Sequence, residues 1–331
     1  MMSGSSDPPI YLDAYLAPLA GELERHDVTD IFINRPGEYW VETLDGALDQ
    51  VSCPELNSAA LARLSRQIAA VSGQGVGSSL PLLSGHLPDG TRVQIVAPSV
   101  ARRGTAIAIR RNAAGRMSLD DFARVGAFDV ADDGTGQKDR DRALRGLAQE
   151  RDWPTFLRTA VRQRRNIVIS GGTSSGKTTF LNALLQEIPV EERLILIEDT
   201  PELNAVQPNV VSLIASRGNQ GEANVSVEDL LTASLRLRPD RILLGEIRGS
   251  EAFSFLRAVN TGHPGSMTTI HADTPDRAVE QLALLVLRGG SRLSRADVIA
   301  YVHSVADVQI QLDRHDGKRR VTEVRLAERI L

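Results

Sequence analysis

The chain is short of cysteine, aromatic residues and histidine, and each shortage narrows what it can be. Cys53 is the only cysteine in 331 residues, so no internal disulfide can form and a reducing compartment suits the chain. Aromatic residues make up 4% of the sequence, which leaves few of the stacking platforms that hold single-stranded nucleic acid. Formal charge is −4, from 38 basic and 42 acidic residues, so no overall basic signal points to nucleic acid. Nowhere is there a run of about 18 apolar residues, the length a helix needs to cross a bilayer. The N-terminal MMSGSSDPPIYLDAYLAPLA lacks the basic stretch and apolar core of a secretory signal. Together these absences predict a cytoplasmic chain whose only membrane contact is peripheral.

What is present fits a globular α/β protein of two domains: 42% hydrophobic and 24% charged residues, in a length beyond that of most single cores. Residues 10–126 predict a smaller mixed α/β domain, with helical apolar spacing over 10–26 and 57–71, hairpins over 28–43 and 82–99, and a strand over 105–111. Residues 127–151 are polar and dense in charges of both signs, which predicts a linker turning helical towards its end. Over 152–331 short apolar runs alternate with helical segments. The runs are NIVIS (166–170), RLILIE (193–198), NVVSLI (209–214), RILLGE (241–246) and SMTTIH (266–271). Near-continuous apolar strands separated by helices predict a mostly parallel sheet covered on both faces, with ligands bound at the carboxyl ends of its strands.

GGTSSGKT (171–178) fits G-x-x-x-x-G-K-[ST], after a strand and before a helix as this phosphate-binding loop requires. The candidate nucleotide-binding residues are therefore Gly171, Gly172, Thr173, Ser174, Ser175, Gly176, Lys177, Thr178 and Thr179. Lys177 suits the β- and γ-phosphates and the Thr178 hydroxyl suits Mg²⁺. Hydrolysis also needs carboxylates, and Glu198, Asp199 and Glu246 stand where strands end, near the loop in a doubly wound sheet. Gly245 occupies a position where many phosphate-loop ATPases carry aspartate, and Asp240 lies at the opposite end of that strand. Glu246 would serve alone there, ordering the Mg²⁺ shell or the attacking water. Two of the six histidines, His263 and His271, lie in TGHPGSMTTIHADTP. His271 ends the strand, where an imidazole can test for a γ-phosphate. His263 precedes it on a turn, about 8 Å or more away, too far to share a metal. No Asn-Lys-x-Asp guanine signature follows the sheet.

In this order, GGTSSGKTT, LIEDTPEL, LRLRPDRILLGEIRG and TGHPGSMTTIHADTP resemble the nucleotide-site boxes of the secretion ATPase superfamily, which includes pilus-retraction, type II and type IV secretion motors. NALLQEIP, SRGNQGEANVSVEDLL, FSFLRAVNTGHPG and EQLALLVL resemble its type IV branch, the DNA-transfer and effector-translocation ATPases. The likeness covers nearly all of 152–312 and extends more weakly to VTDIFINRPGEYWVE and LPDGTRVQIVAPS. It implies a RecA-like ATPase domain, ATP with Mg²⁺, and a homohexamer whose nucleotide lies between the two domains and is completed by a neighbouring subunit. It implies Glu198 as general base, Glu246 as the Mg²⁺-side acid with Thr178, His271 as γ-phosphate sensor, and Lys177, Arg92 and Arg110 on the phosphates. Arg111 is an equal alternative to Arg110, because the register of IAIRR is not fixed by sequence. Arg248 reads equally as a structural ion-pair partner.

The resemblance further implies an ATP-hydrolysing motor, peripheral to the inner membrane at the base of a type IV secretion channel. There it would work with the other components of that system, moving DNA or protein or assembling a pilus. The alternative is a RecA-like translocase acting directly on DNA; VRQRRN (161–166) favours it, and the scarce aromatics and negative charge oppose it.

Overall fold

The computed structural model describes residues 11–111, 118–124, 126–129, 135–216 and 223–327. The chain divides into two compact units. One comprises Met1–Ala131 with Val211–Val225 and Arg236–Arg238, the other Asp132–Val210 with Ser226–Leu235 and Pro239–Leu331. No described helix is long and apolar enough to cross a membrane.

In the first unit α1 (Leu12–Leu16), a 3₁₀ turn (Ala17–Leu19) and α2 (Ala20–Glu24) precede β1 (Val28–Ile33), β2 (Glu38–Thr43) and β3 (Leu48–Ser52). Then follow α3 (Ser58–Val71), β4 (Leu82–His86), β5 (Arg92–Val96), β6 (Ala106–Arg110) and α4 (Leu119–Arg124). The six strands form one sheet in the order β3-β2-β1-β6-β5-β4, all antiparallel. The Asn57 side chain caps α3 by accepting the Ala60 N–H at 3.0 Å. Leu61, Leu64 and Ile68, spaced by three and four residues, turn one stripe of that helix onto Ile31, Ile95 and Ile107 of the sheet. Cys53 is buried in this core, and burial pushes its thiol up, so it stays protonated and serves as a small apolar residue.

The second unit starts with α5 (Thr135–Glu150) and α6 (Trp153–Arg162), and continues through β7 (Ile167–Gly171), α7 (Lys177–Leu185) and β8 (Leu194–Glu198); β9 (Val210–Ile214) follows, with only Val210 in this unit. After α8 (Val227–Ser234) come β10 (Arg241–Ile247), α9 (Glu251–Asn260), β11 (Met267–Ile270), α10 (Pro275–Arg288) and α11 (Arg295–Val305). The hairpin β12 (Val308–His315) and β13 (Lys318–Leu326) closes the described chain. The sheet order is β13-β12-β7-β11-β10-β8-β9. From β12 to β8 every pairing is parallel, and β13 returns antiparallel. All five apolar runs singled out in the sequence are strands of this sheet. Every residue of β7 and β8 is buried, as strands covered on both faces must be.

The segment 127–151 carries α5. Its Leu144 is fully buried in the second unit's core, and Leu147 and Ala148 pack against the same cluster. The spacing of three and four residues makes one narrow apolar stripe on an otherwise charged helix.

At the amino ends of the parallel strands Arg241 is fully buried. Its guanidinium forms a two-pronged pair with Glu192, at 2.6 and 2.7 Å, and donates to the Val161 carbonyl at 2.8 Å. Asp240 accepts the Arg193 N–H at 2.7 Å. Arg193 begins the run that ends in Glu198, so Asp240 sits at the end of the sheet away from the phosphate loop.

Candidate nucleotide site

β7 ends at Gly171 and α7 begins at Lys177, so the connecting loop is set at the carboxyl edge of the sheet. Two of its glycines are sterically required. A Cβ on Gly171 would lie 2.4 Å from Ser175 Oγ and 2.6 Å from the Leu312 carbonyl oxygen, and Gly176 has φ +95°. Lys177 Nζ donates to the carbonyls of Gly171 and Gly172 at 2.9 and 3.1 Å, curling over its own loop. Burial pushes its ammonium below the usual lysine range, and the nearby Glu246 partly opposes this.

A cavity of about 700 Å³ opens over this loop. From the loop and helix start Thr173, Ser174, Gly176, Lys177, Thr178 and Thr179 line it; from the ends of β10 and β11 come Glu246 and His271. Ser175 is buried beneath the loop, and Gly171 and Gly172 reach the site through the carbonyls that hold Lys177. Three further lining residues are Glu202, Arg248 and Arg319. Glu202 closes the acidic stretch that begins at Glu198 but is given no role by the sequence reading, and Arg319 is not singled out by it.

Arg248 joins the acids at the strand ends. Its Nε and Nη2 donate to Glu246 Oε2 at 2.9 and 2.5 Å, and its Nη1 to Asp199 at 2.9 Å. The hydrogen bonds to Glu246 hold the guanidinium firmly charged, so Arg248 is an ion-pair partner within the site. Glu198 is buried and does not line the cavity; its Oε1 accepts the N–H groups of Glu202 and Leu203, both at 2.7 Å. It thereby fixes the turn that presents Glu202. A Cβ on Gly245 would lie 3.5 Å from Glu198 Cγ, so the acid beside that position comes from the neighbouring strand β8.

The two histidines lie at opposite ends of β11. His271 follows its last residue, exposed and facing the cavity. His263 precedes the strand, with Nδ1 2.9 Å from the Pro239 carbonyl oxygen. In the first unit Arg92 and Arg110 stand directly opposite each other across β5 and β6, both exposed. The Arg111 guanidinium donates to the backbone carbonyls of Arg25 and Val28, which separates it from its neighbour.

The arginines of VRQRRN face carboxylates. Arg162 is 4.0 Å from Glu187, Arg164 is 3.4 Å from Glu192, and Arg165 pairs with Asp141 of α5. That run is no free basic stripe.

Among the described residues no group of three or more His, Cys, Asp or Glu could hold a metal alone. Thr178 and Glu246 both line the cavity. One hydroxyl and one carboxylate suit a hard cation that takes its remaining ligands from a nucleotide's phosphates and water, the usual habit of Mg²⁺.

Residues 138–307 match the model of a family described as type II/IV secretion system protein. The chain belongs to that family. Among its secretion-system relatives is the type IV secretion system protein VirB11 of Bartonella henselae, 40% identical over 324 residues that cover 93% of this chain and 91% of the relative. PtlH of Bordetella pertussis, another type IV secretion system protein, is 36% identical over 333 residues, covering 98% and 97%. The crystal structure of the VirB11 ATPase from the Brucella suis type IV secretion system superimposes with a TM-score of 0.88 at 35% identity, covering 96% of this chain and 98% of that one. The mixed α/β architecture is thus that of a secretion ATPase.

Proposed function

We propose that this chain is the ATP-hydrolysing subunit of a type IV secretion motor. The carrying observation is the convergence of Lys177, Thr178, Glu246 and His271, from α7, β10 and β11, on one cavity over a phosphate loop. The Brucella suis relative was solved in complex with sulphate, an anion of the size and charge that such a loop binds.

In this reading the loop amides and the amino end of α7 cradle the phosphate chain. Lys177 exchanges the Gly171 and Gly172 carbonyls for phosphate oxygens. Thr178 and Glu246 would hold Mg²⁺, which would supply charge neutralisation for the phosphates. His271 reads the γ-phosphate from the end of β11. Glu198 is the general base for water, and through the Glu202 and Leu203 amides it also sets the carboxylate of Glu202. Arg92 and Arg110 are further phosphate ligands: two exposed guanidiniums directly opposite each other repel, and an anion shared between them relieves that repulsion. The assembly is a homohexamer, peripheral to the inner membrane, working with other components of the secretion system to move DNA or protein or to assemble a pilus.

Release of inorganic phosphate from Mg·ATP tests the core of this reading. Lys177→Ala is expected to lower turnover at least a hundredfold, as loss of a preorganised charge donor does. Turnover equal to that of the parent would refute it.

A further inference from the structure

The hairpin β12–β13 ends over the phosphate loop. Its two-residue turn is Asp316-Gly317, both with positive φ, 51° and 76°, as the tight turn matching strand twist requires. β12 pairs with β7 from Val308↔Ile167 to Leu312↔Gly171, so Asp313, Arg314 and His315 run on past the last paired residue of β7. β13 returns alongside, with Arg319 opposite Arg314. The projecting part of the hairpin therefore carries Arg319 to the loop. A Cβ placed on Gly176 would lie 2.8 Å from Arg319 Cδ and 3.4 Å from its Nε. The aliphatic stem rests on the glycine backbone, and the side chain lines the cavity. The span matching the family model ends at residue 307, before this hairpin begins.

The other cations of the cavity are engaged: Arg248 by Glu246 and Asp199, Lys177 by two carbonyls. The Arg319 side chain forms no hydrogen bond or ion pair with any described residue. It lies instead against Gly176, the residue immediately before α7, where the helix start already contributes partial positive charge. Two positive features side by side with no acid between them are complementary to an anion. A guanidinium offers five donors in a planar fork that suits phosphate oxygens.

We propose that Arg319 is a phosphate ligand supplied by the same chain, its guanidinium binding the polyphosphate of a nucleotide held by the loop at Gly176. This rests on the nucleotide reading of the cavity. It makes the C-terminal hairpin part of the site and gives Gly176 a second reason to be glycine.

Calorimetric titration with Mg·ADP and, separately, with inorganic pyrophosphate tests it on the full chain, Arg319→Ala, Arg319→Lys and Arg314→Ala. Arg314 is exposed on the same hairpin and does not line the cavity. Arg319→Ala is expected to weaken both ligands about tenfold or more, the usual size of a lost charge-assisted hydrogen bond. Arg319→Lys should recover part of that, and Arg314→Ala should stay within about twofold of the parent, as an exposed charge outside the cavity does. Unchanged affinities in Arg319→Ala, or equal losses in Arg319→Ala and Arg314→Ala, would overturn the proposal. So would weaker ADP binding with unchanged pyrophosphate binding, which would place the arginine on the nucleoside. Thermal midpoints without ligand should match the parent; a large fall confined to Arg319→Ala would mark a structural role and overturn it too. A parent chain that binds neither ligand would refute the nucleotide reading itself.

Discussion

Glu198 and Glu202 divide two tasks that one carboxylate could be asked to perform. Glu198 is buried with Oε1 on two backbone amides, whereas Glu202 lines the cavity. A glutamine at 198 keeps an oxygen acceptor for those amides and loses basicity, so Glu198→Gln separates base from scaffold. With Glu198 as base, that variant is expected to lose about a hundredfold or more in turnover while nucleotide affinity stays near the parent's, and Glu202→Gln to lose far less. Measured side by side, the reverse pattern would transfer the base role to Glu202. Lys177, Thr178, Glu246 and His271 were legible in the sequence because a motif position or a strand end fixes where each goes. The place of Glu202 at the cavity was not, although it closes the acidic stretch from Glu198, since a turn held by Glu198 delivers it; Arg319 was not either, since its arrival depends on the pairing of β12 with the distant β7. The choice between Arg110 and Arg111 was unreadable for a related reason. It turns on register: Arg110 pairs opposite Arg92 while Arg111 is drawn to the carbonyls of Arg25 and Val28.

Among the elements, the parallel strands announce themselves because burial on both faces demands unbroken apolar runs. α5 does the opposite. Its sequence, TGQKDRDRALRGLAQE, is dominated by charge, yet Leu144 is fully buried. Leu144→Ala is expected to cost about 2–5 kcal/mol, as deletion of a buried leucine side chain does, and to lower the urea midpoint of the second unit. A helix that merely tethered two bodies would lose no more than about 0.5 kcal/mol, and such a result would remove α5 from the core. The strand β12 shows why the last hairpin is hard to read. Its alternating VQIQL suggests one wet face, but Gln309 and Gln311 are buried too. Gln311 accepts from Ser170 Oγ at 2.5 Å and donates to the Ala272 carbonyl at 3.2 Å. A satisfied Gln311 thus stands in for an apolar residue on a covered face.

For the whole molecule, the proposed motor depends on whether nucleotide chemistry is coupled to assembly. Net charge is −4, and the arginines of VRQRRN are matched by Glu187, Glu192 and Asp141. Neither the overall charge nor that run supplies a free basic track for DNA, which favours a motor acting on other components of a secretion channel over one that pulls directly on a strand. In the proposed ring the bound nucleotide is shared with a neighbouring subunit, so by mass action a ligand that prefers the ring must also stabilise it. Light scattering of the 35.9 kDa chain with a non-hydrolysable ATP analogue and Mg²⁺ is therefore expected to show a species of about 215 kDa, six copies. Lys177→Ala should shift the nucleotide concentration needed upward, since its weaker grip on the phosphates leaves less differential affinity to drive assembly. A parent chain that stays monomeric at saturating nucleotide would sink the ring while leaving the cavity's chemistry intact. A hexamer equally populated with and without nucleotide, in parent and Lys177→Ala alike, would place the subunit contacts outside the nucleotide's influence and restrict ATP to driving motion within a preformed ring.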